Sequence, residues 1–133
     1  MNDSVKIHDP WNWQAGFGFS HGVELPAPAR IIEISGQCAT AADGSALHPG
    51  DMRGQIGAAV ANIEEVLVSA GLGLGAVTRI RVYTTDMDAT LANWGALIGP
   101  FNAAGSRPAS TLVGVTRLFS PDLLVEIEAT AAG

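Results

Sequence analysis

Residues 123–129, near the C-terminal end of the chain, form its most regular pattern. Two sets of side chains alternate there: Leu123, Val125, Ile127 and Ala129 in one set, and Leu124, Glu126 and Glu128 in the other. This period of two predicts a β-strand with one buried face. Two carboxylates side by side on the other face repel each other, so hydrogen-bond donors, cations or water must meet them. The strand therefore predicts a sheet whose second face is partly polar and faces a further partner.

The N-terminal half predicts two more strands followed by a loop. A loose alternation of aromatic and apolar residues over 11–23 predicts a first strand, and residues 29–37 predict a second one. We expect these two strands to form a hairpin, with the proline-containing segment 25–28 as their connection. Turn-forming residues then predict a loop over 38–50.

Two helices and two further strands complete the predicted order. Apolar residues recur at helical spacing after Asp51, a good N-cap, up to Gly71, a residue type that often follows a helix end. A second helix is predicted over 88–102, and strands over 77–86 and 107–118. The order is β-β-α-β-α-β-β, which indicates an α+β domain with a mixed sheet and two helices on one face.

The sheet face opposite the helices is predicted to carry charges of both signs. Arg79 and Arg81 alternate with buried positions of their strand, so they are expected to meet Glu126 and Glu128. A single domain has no element left to cover this face, and 47% of all residues are apolar. Both features favour an oligomer.

Composition narrows the class of protein. A length of 133 residues fits one domain, spanning 1–133. A formal net charge of −6 argues against binding to nucleic acid or to an anionic membrane. Neither a signal peptide nor a membrane span is expected, and the single cysteine, Cys38, favours a cytoplasmic location and is expected to be a small buried residue. The three histidines have no metal-ligand spacing, so no metal is expected.

Motifs for phosphate binding, dinucleotide binding and a nucleophilic serine are missing from the sequence. What remains is a set of polar residues at strand ends: Ser35, Gln37, Ser110, Thr111 and Glu126. A carboxylate beside hydroxyl groups can accept a proton or hold a water molecule, which is general acid and base chemistry. The alternative is that Glu126 is only a structural ion-pair partner.

Several segments together resemble the RidA/YjgF family, the small enamine and imine deaminases also called the L-PSP endoribonuclease family. The resemblance extends over nearly the whole chain, and the segments that carry it are 34–37 (Ile-Ser-Gly-Gln), 62–67 with 70–71, 82–86 (Val-Tyr-Thr-Thr-Asp), 107–109 (Arg-Pro-Ala) and 125–129 (Val-Glu-Ile-Glu-Ala). It implies a chorismate-mutase-like fold and a homotrimer with ligand clefts between subunits. It also implies hydrolysis of reactive imines to a keto acid and ammonia without a cofactor.

The resemblance assigns roles to individual residues. Glu126 matches the family glutamate that places the attacking water, and Ser35 and Gln37 match cleft positions. An arginine that directly follows Pro-Ala in active members holds the substrate carboxylate, but Ser110 stands at that position here. Two further departures are Leu112, where a small residue or cysteine is common, and Phe19, where many members have tyrosine. Phe19, Ser35, Gln37, Ser110 and Thr111 are the predicted substrate-binding residues.

Three functions remain open at this point. The chain is a deaminase or hydrolase for an imine or enamine that is not a simple imino acid, a non-catalytic binder of small molecules in the same cleft, or a protein-interaction module. The first predicts a catalytic Glu126, the second a ligand without turnover, and the third a cleft that does not matter.

Overall fold

Residues 5–27 and 30–133 are described by a computed structural model of the chain. Its six strands are β1 (Lys6–His8), β2 (Gly22–Glu24), β3 (Ile31–Gln37), β4 (Val77–Thr84), β5 (Ala109–Gly114) and β6 (Val125–Ala132). Its α-helices are α1 (Met52–Ser69), α2 (Met87–Ala92) and α3 (Trp94–Ala103). The predicted start of the second strand, at residue 29, and the end of the connection before it lie outside the described residues.

The main sheet has the strand order β3-β6-β4-β5. β6 runs antiparallel to both β3 and β4, whereas β4 and β5 are parallel. The parallel pair is possible because α2 and α3 cross over between these two strands. The α+β class and the mixed sheet are therefore confirmed.

Alternation along the central strands gives the sheet two unlike faces. On the inner face, side chains such as Ile80, Val82 and Ile127 are fully buried in a core shared with α1 and α3. The opposite face, here called the open face, carries side chains that are half-buried or exposed: Arg79, Arg81, Tyr83, Glu126 and Glu128. The strand pattern around 123–129 thus predicted the buried and the polar set correctly.

Helix α1 has the predicted boundaries. The carboxylate of Asp51 accepts a hydrogen bond from the backbone N–H of Gly54 at 3.0 Å, as an N-cap does. At the other end Gly71 has φ of +76°, the left-handed conformation in which glycine is favoured. The inner stripe of α1, which includes Ile56, Ile63 and Leu67, is fully buried.

The predicted hairpin between the first two strands was wrong. β2 has only three residues and pairs with β1 in a separate two-stranded sheet, while β3 pairs with β6. The longer β3 gains more from pairing with β6, because this pairing buries Ile34 against the core.

The single helix predicted over 88–102 is two helices. Asn93 breaks the run with φ of −111° and ψ of 16°, and its side-chain amide donates to the carbonyl of Ala89 at 2.8 Å. Asparagine competes with helical hydrogen bonds in this way, so the chain changes direction between α2 and α3.

The expected charge pairing across the open face is half confirmed. Arg81 lies 3.6 Å from Glu128, which also accepts a hydrogen bond from the Tyr83 hydroxyl at 2.5 Å. Arg79 instead donates to Thr111 Oγ1 at 2.8 Å, and Glu126 lies opposite Tyr83 in the strand register. The tyrosine hydroxyl thus supplies a neutral donor for one carboxylate, and its pKa is raised by that hydrogen bond.

Candidate functional site

The carboxylate of Glu126 lies over the backbone of Gly36, on the neighbouring strand β3. A Cβ at position 36 would stand 2.6 Å from the Glu126 carboxyl carbon, so only glycine leaves room for this arrangement. The pairing of β3 with β6 is irregular between Ile34 and Gln37, which is where Gly36 lies. The glycine of the Ser-Gly-Gln segment therefore has a local steric role beside the predicted catalytic residue.

The thiol of Cys38 holds the same carboxylate. Its Sγ lies 3.4 Å from Glu126 Oε1, within hydrogen-bonding distance for sulfur. Burial of the thiol, followed by the charge and the hydrogen bond of Glu126, raises the pKa of Cys38 to about 12. At neutral pH the thiol is therefore protonated and donates, and the carboxylate remains the acceptor. Cys38 is buried as predicted, but it also has a polar role that the sequence did not indicate.

A second feature, here called the aromatic pocket, lies at the edge strand β5 on the inner side of the sheet. It encloses about 200 Å³, and seven residues line it: Trp13, Phe17, Phe19, Leu91, Trp94, Ser110 and Leu112. Ser110 and Leu112 pair with Ile80 and Val82 in the parallel register, which puts them on the inner face. The pocket wall is otherwise built by the N-terminal segment and by the two helices that meet at Asn93.

Hydrogen bonds fix the N-terminal segment against the pocket. Trp94 Nε1 donates to the carbonyl of Phe17 at 2.7 Å, and the side-chain amide of Asn102 donates to the carbonyl of Gly18 at 2.9 Å. Arg107 donates to the carbonyl of Ala15 at 2.9 Å, so its guanidinium is engaged at this segment. It is not among the residues that line the pocket.

The predicted site residues occupy three places. Phe19 and Ser110 both line the aromatic pocket. Glu126 and Thr111 lie on the open face, where Thr111 accepts a hydrogen bond from Arg79. Gln37 lines a shallow cavity of about 350 Å³ beside α1, and its side-chain amide donates to the backbone carbonyl of Ser35. Ser35 is exposed. Within one chain, the sheet thus separates Ser110 from Glu126.

Several residues of these two features were missing from the predicted site. Leu91 and Trp94 belonged to the apolar stripe of the second helix, so they were expected to be core residues. The helix break at Asn93 leaves Leu91 exposed and Trp94 half-buried, and both line the pocket. The aromatic density around Trp13 and Phe17 was the available signal, since aromatic residues near a terminus pack or line a pocket.

The described residues contain no group of three or more histidine, cysteine, aspartate or glutamate side chains arranged for a metal ion. Over the same residues, none of the helices combines the length and the apolar character that a membrane crossing requires.

Comparisons with known proteins place the chain in a family. The family model described as Endoribonuclease L-PSP matches residues 13–133. The structure of YyfB from Yersinia pestis, described as a conserved Rid family protein of unknown function, is similar, with 36% sequence identity and a TM-score of 0.88 over 98% of this chain and 99% of that one. No curated protein sequence is significantly similar.

Two structures with lower sequence identity are also similar to this chain. Rv2704 from Mycobacterium tuberculosis, a member of the YjgF/YER057c/UK114 family, is 28% identical over 98% of this chain and 100% of that one, with a TM-score of 0.59. E. coli TdcF, whose structure contains bound serine, is 25% identical over 86% and 87% of the two chains, with a TM-score of 0.68. The matched family model and the 36% identity to YyfB lead to one conclusion: the chain belongs to the endoribonuclease L-PSP family, which is the Rid/YjgF family.

Proposed function

We propose that the protein hydrolyses a small imine or enamine that carries no carboxylate, with Glu126 as the catalytic base. Membership of the Rid/YjgF family supports a RidA-like function. The aromatic pocket is the observation that supports a substrate without a carboxylate. Ser110 stands there at the position of the family arginine, and the residues lining the pocket include no basic side chain.

The reaction requires one water molecule and one group that moves protons. The imine nitrogen first takes a proton from solvent, and Glu126 then accepts a proton from water while the water oxygen bonds to the imine carbon, which gives a carbinolamine. Glu126 passes its proton to the nitrogen, the C–N bond breaks, ammonia leaves with the electron pair of that bond, and the hydroxyl returns its proton to solvent as the carbonyl forms. The net change is imine plus water to carbonyl plus ammonia, without an oxidant or a cofactor. The protonated Cys38 thiol orients Glu126 Oε1 throughout.

The pocket determines which substrates are excluded. A carboxylate that enters a desolvated apolar pocket without a cationic partner loses about 2–5 kcal/mol relative to one clamped by arginine. Arg107 does not compensate, because its guanidinium donates to the Ala15 carbonyl. Small imino acids are therefore poor substrates.

A complete site needs two copies of the chain. Ser110 lies on the inner face and Glu126 on the open face, so one chain does not bring them together. A homotrimer in which the open faces meet brings the Glu126 of one copy to the aromatic pocket of the next. The half-buried charges of the open face are then covered by neighbouring subunits.

The alternative is a non-catalytic binder of small molecules. The largely apolar wall of the pocket favours it, since such a wall binds without supplying any reactive group. A binder shows ligand-induced stabilisation against heat without turnover.

Ammonia release from imines generated in situ by amine and amino-acid oxidases tests the proposal. Wild type should accelerate release from imines that carry no carboxylate and not from imino acids. Glu126→Gln, which keeps the shape of the side chain but accepts no proton, should lose about 10²- to 10⁴-fold in rate. Ser110→Arg should shift the preference towards imino acids. If wild type is inert on all imines and Ser110→Arg acts on imino acids, the binder is the correct alternative.

A further inference from the structure

The walls of the aromatic pocket consist mainly of aromatic rings from two parts of the chain. Trp13, Phe17 and Phe19 come from the N-terminal segment, and Trp94 comes from the first turn of α3. The remaining polar side chain in the lining is the neutral hydroxyl of Ser110. A site with four aromatic rings and no charged lining residue is unusual for binding a substrate through an anionic group such as a carboxylate.

Contacts among these residues and with His21 hold the rings in place before any ligand arrives. Trp13 and Phe19 meet edge to face, with centroids 5.9 Å apart, and both also contact the ring of His21. Trp94 is held by its hydrogen bond to the Phe17 carbonyl. Rings that are already positioned lose little conformational freedom on binding, which favours a small ligand.

The electrostatics of the pocket favour a cation over an anion. The face of an aromatic ring is negative, and tryptophan attracts cations most strongly of the three aromatic types. The Asp9 carboxylate accepts a hydrogen bond from the backbone N–H of His21 at 2.7 Å, and the ring of His21 contacts Trp13 and Phe19. The formal charge of the whole chain is −6, which adds to the attraction.

We propose that the aromatic pocket is a cage for an ammonium or iminium cation, and that the substrates are iminium ions derived from amines. This inference rests on the proposed function, because it names the substrate class of the same site. An iminium ion is the protonated imine, the form that water attacks most readily. An iminium ion derived from an amine carries a positive charge and no carboxylate, whereas an imino acid also carries a carboxylate. Replacing the arginine of the family by Ser110 removes a cation that would repel such a substrate.

A pair of ligands with the same shape separates this cage from a merely apolar pocket. Choline carries a quaternary ammonium group, and 3,3-dimethylbutan-1-ol has carbon in place of the nitrogen. Titration calorimetry should show choline binding about three- to thirtyfold more tightly than its neutral counterpart, the range expected for cation–π contacts. Ser110→Arg should abolish this preference.

The chain provides a matched pair of variants for the same titration. Trp11 and Trp13 are exposed to 62% and 64%, and both contact His21, but only Trp13 lines the pocket. Trp13→Leu should remove most of the preference for choline, and Trp11→Leu should keep it. If Trp13→Leu does not fold, Phe17→Leu provides the same comparison at another exposed wall residue.

The outcomes distinguish the cage from the reaction. Equal or tighter binding of the neutral ligand, no binding of either, or an equal loss in both tryptophan variants overturns the cage. Ammonia release is measured on the same preparations. Turnover of imines that carry no carboxylate, without tighter binding of choline than of its neutral counterpart, refutes the cage and leaves the hydrolase. A preference for choline without turnover supports the cage and refutes the hydrolase.

Discussion

Replacing Gly36 by alanine is expected to displace Glu126 while leaving the fold intact. The added Cβ would lie 2.6 Å from the Glu126 carboxyl carbon and 2.8 Å from its Cγ, far inside normal contact. The φ angle of Gly36 is not positive, so alanine meets no backbone strain there. The Glu126 side chain is the flexible partner, and it must therefore move away from Gly36 and from the Cys38 thiol.

The expected effects on activity and stability differ greatly in size. A displacement of about 1 Å in a catalytic group costs on the order of 10²-fold in rate. The lost thiol hydrogen bond costs about 1–2 kcal/mol of the free energy of unfolding, and alanine in a strand regains about 0.5–1 kcal/mol relative to glycine. The net loss of stability is therefore about 0–1.5 kcal/mol, a shift of the melting temperature by only a few degrees.

Initial rates of ammonia release and the melting temperature should be measured together for Gly36→Ala. Gly114→Ala is the matched control, because Gly114 is also a strand glycine and its added Cβ would meet only Met87 Cε at 3.6 Å. We expect a loss of about 10²-fold in rate for Gly36→Ala and none for Gly114→Ala. Unchanged turnover in a folded Gly36→Ala protein would refute the catalytic role assigned to Glu126.

Three further predictions concern the Cys38 thiol, the N-cap of α1 and the site shared between subunits. The pKa of Cys38 is raised from 9.0 to about 12 in the folded chain. The thiol therefore stabilises the fold fully below pH 9 and loses this contribution as the pH rises towards 12. In urea unfolding, Cys38→Val should lose less of its free energy of unfolding between pH 9 and pH 12 than wild type. Asp51→Ala removes the N-cap of α1 and should lower the free energy of unfolding by about 1 kcal/mol, and Asp51→Asn should restore most of it. Ser110→Trp fills the pocket, so Glu126→Gln and Ser110→Trp each inactivate a different half of the shared site. Coexpression of the two variants should restore up to about one quarter of wild-type turnover, because about one quarter of the sites in mixed oligomers then combine two intact halves. No restoration would indicate that Glu126 and the aromatic pocket do not form one site.

The sequence predicts those parts of the fold that depend on short-range patterns. Alternation over 123–129 identifies the buried and the polar face of β6, and Asp51 and Gly71 mark the ends of α1, because both signals come from residues close in the chain. The pairing of β2 with β1 was not predictable in this way. It depends on a competition between strands distant in sequence, and the short β1 was not recognised as one of them.

The candidate site was predicted less completely for a related physical reason. Alternation predicts that Glu126 faces away from the core, but the thiol of Cys38 reaches it only through the pairing of β3 with β6. The aromatic pocket likewise depends on a break at Asn93, where one hydrogen bond from an asparagine side chain outweighs an otherwise continuous helical stripe. Such tertiary contacts leave no periodic signal.

The two halves of the site also explain how one fold can change its substrate. Glu126 lies on the central strand β6, and Gly36 and Cys38 lie at the end of the neighbouring edge strand β3, where close packing fixes the carboxylate. The aromatic pocket lies at the opposite edge strand, β5, between N-terminal residues and the junction of α2 and α3. A charged residue in place of Ser110 would change the charge of the pocket without disturbing the carboxylate of Glu126. On the proposed function, the reaction is therefore expected to be more constant among related chains than the substrate, since Glu126 and the aromatic pocket lie on different faces of the sheet.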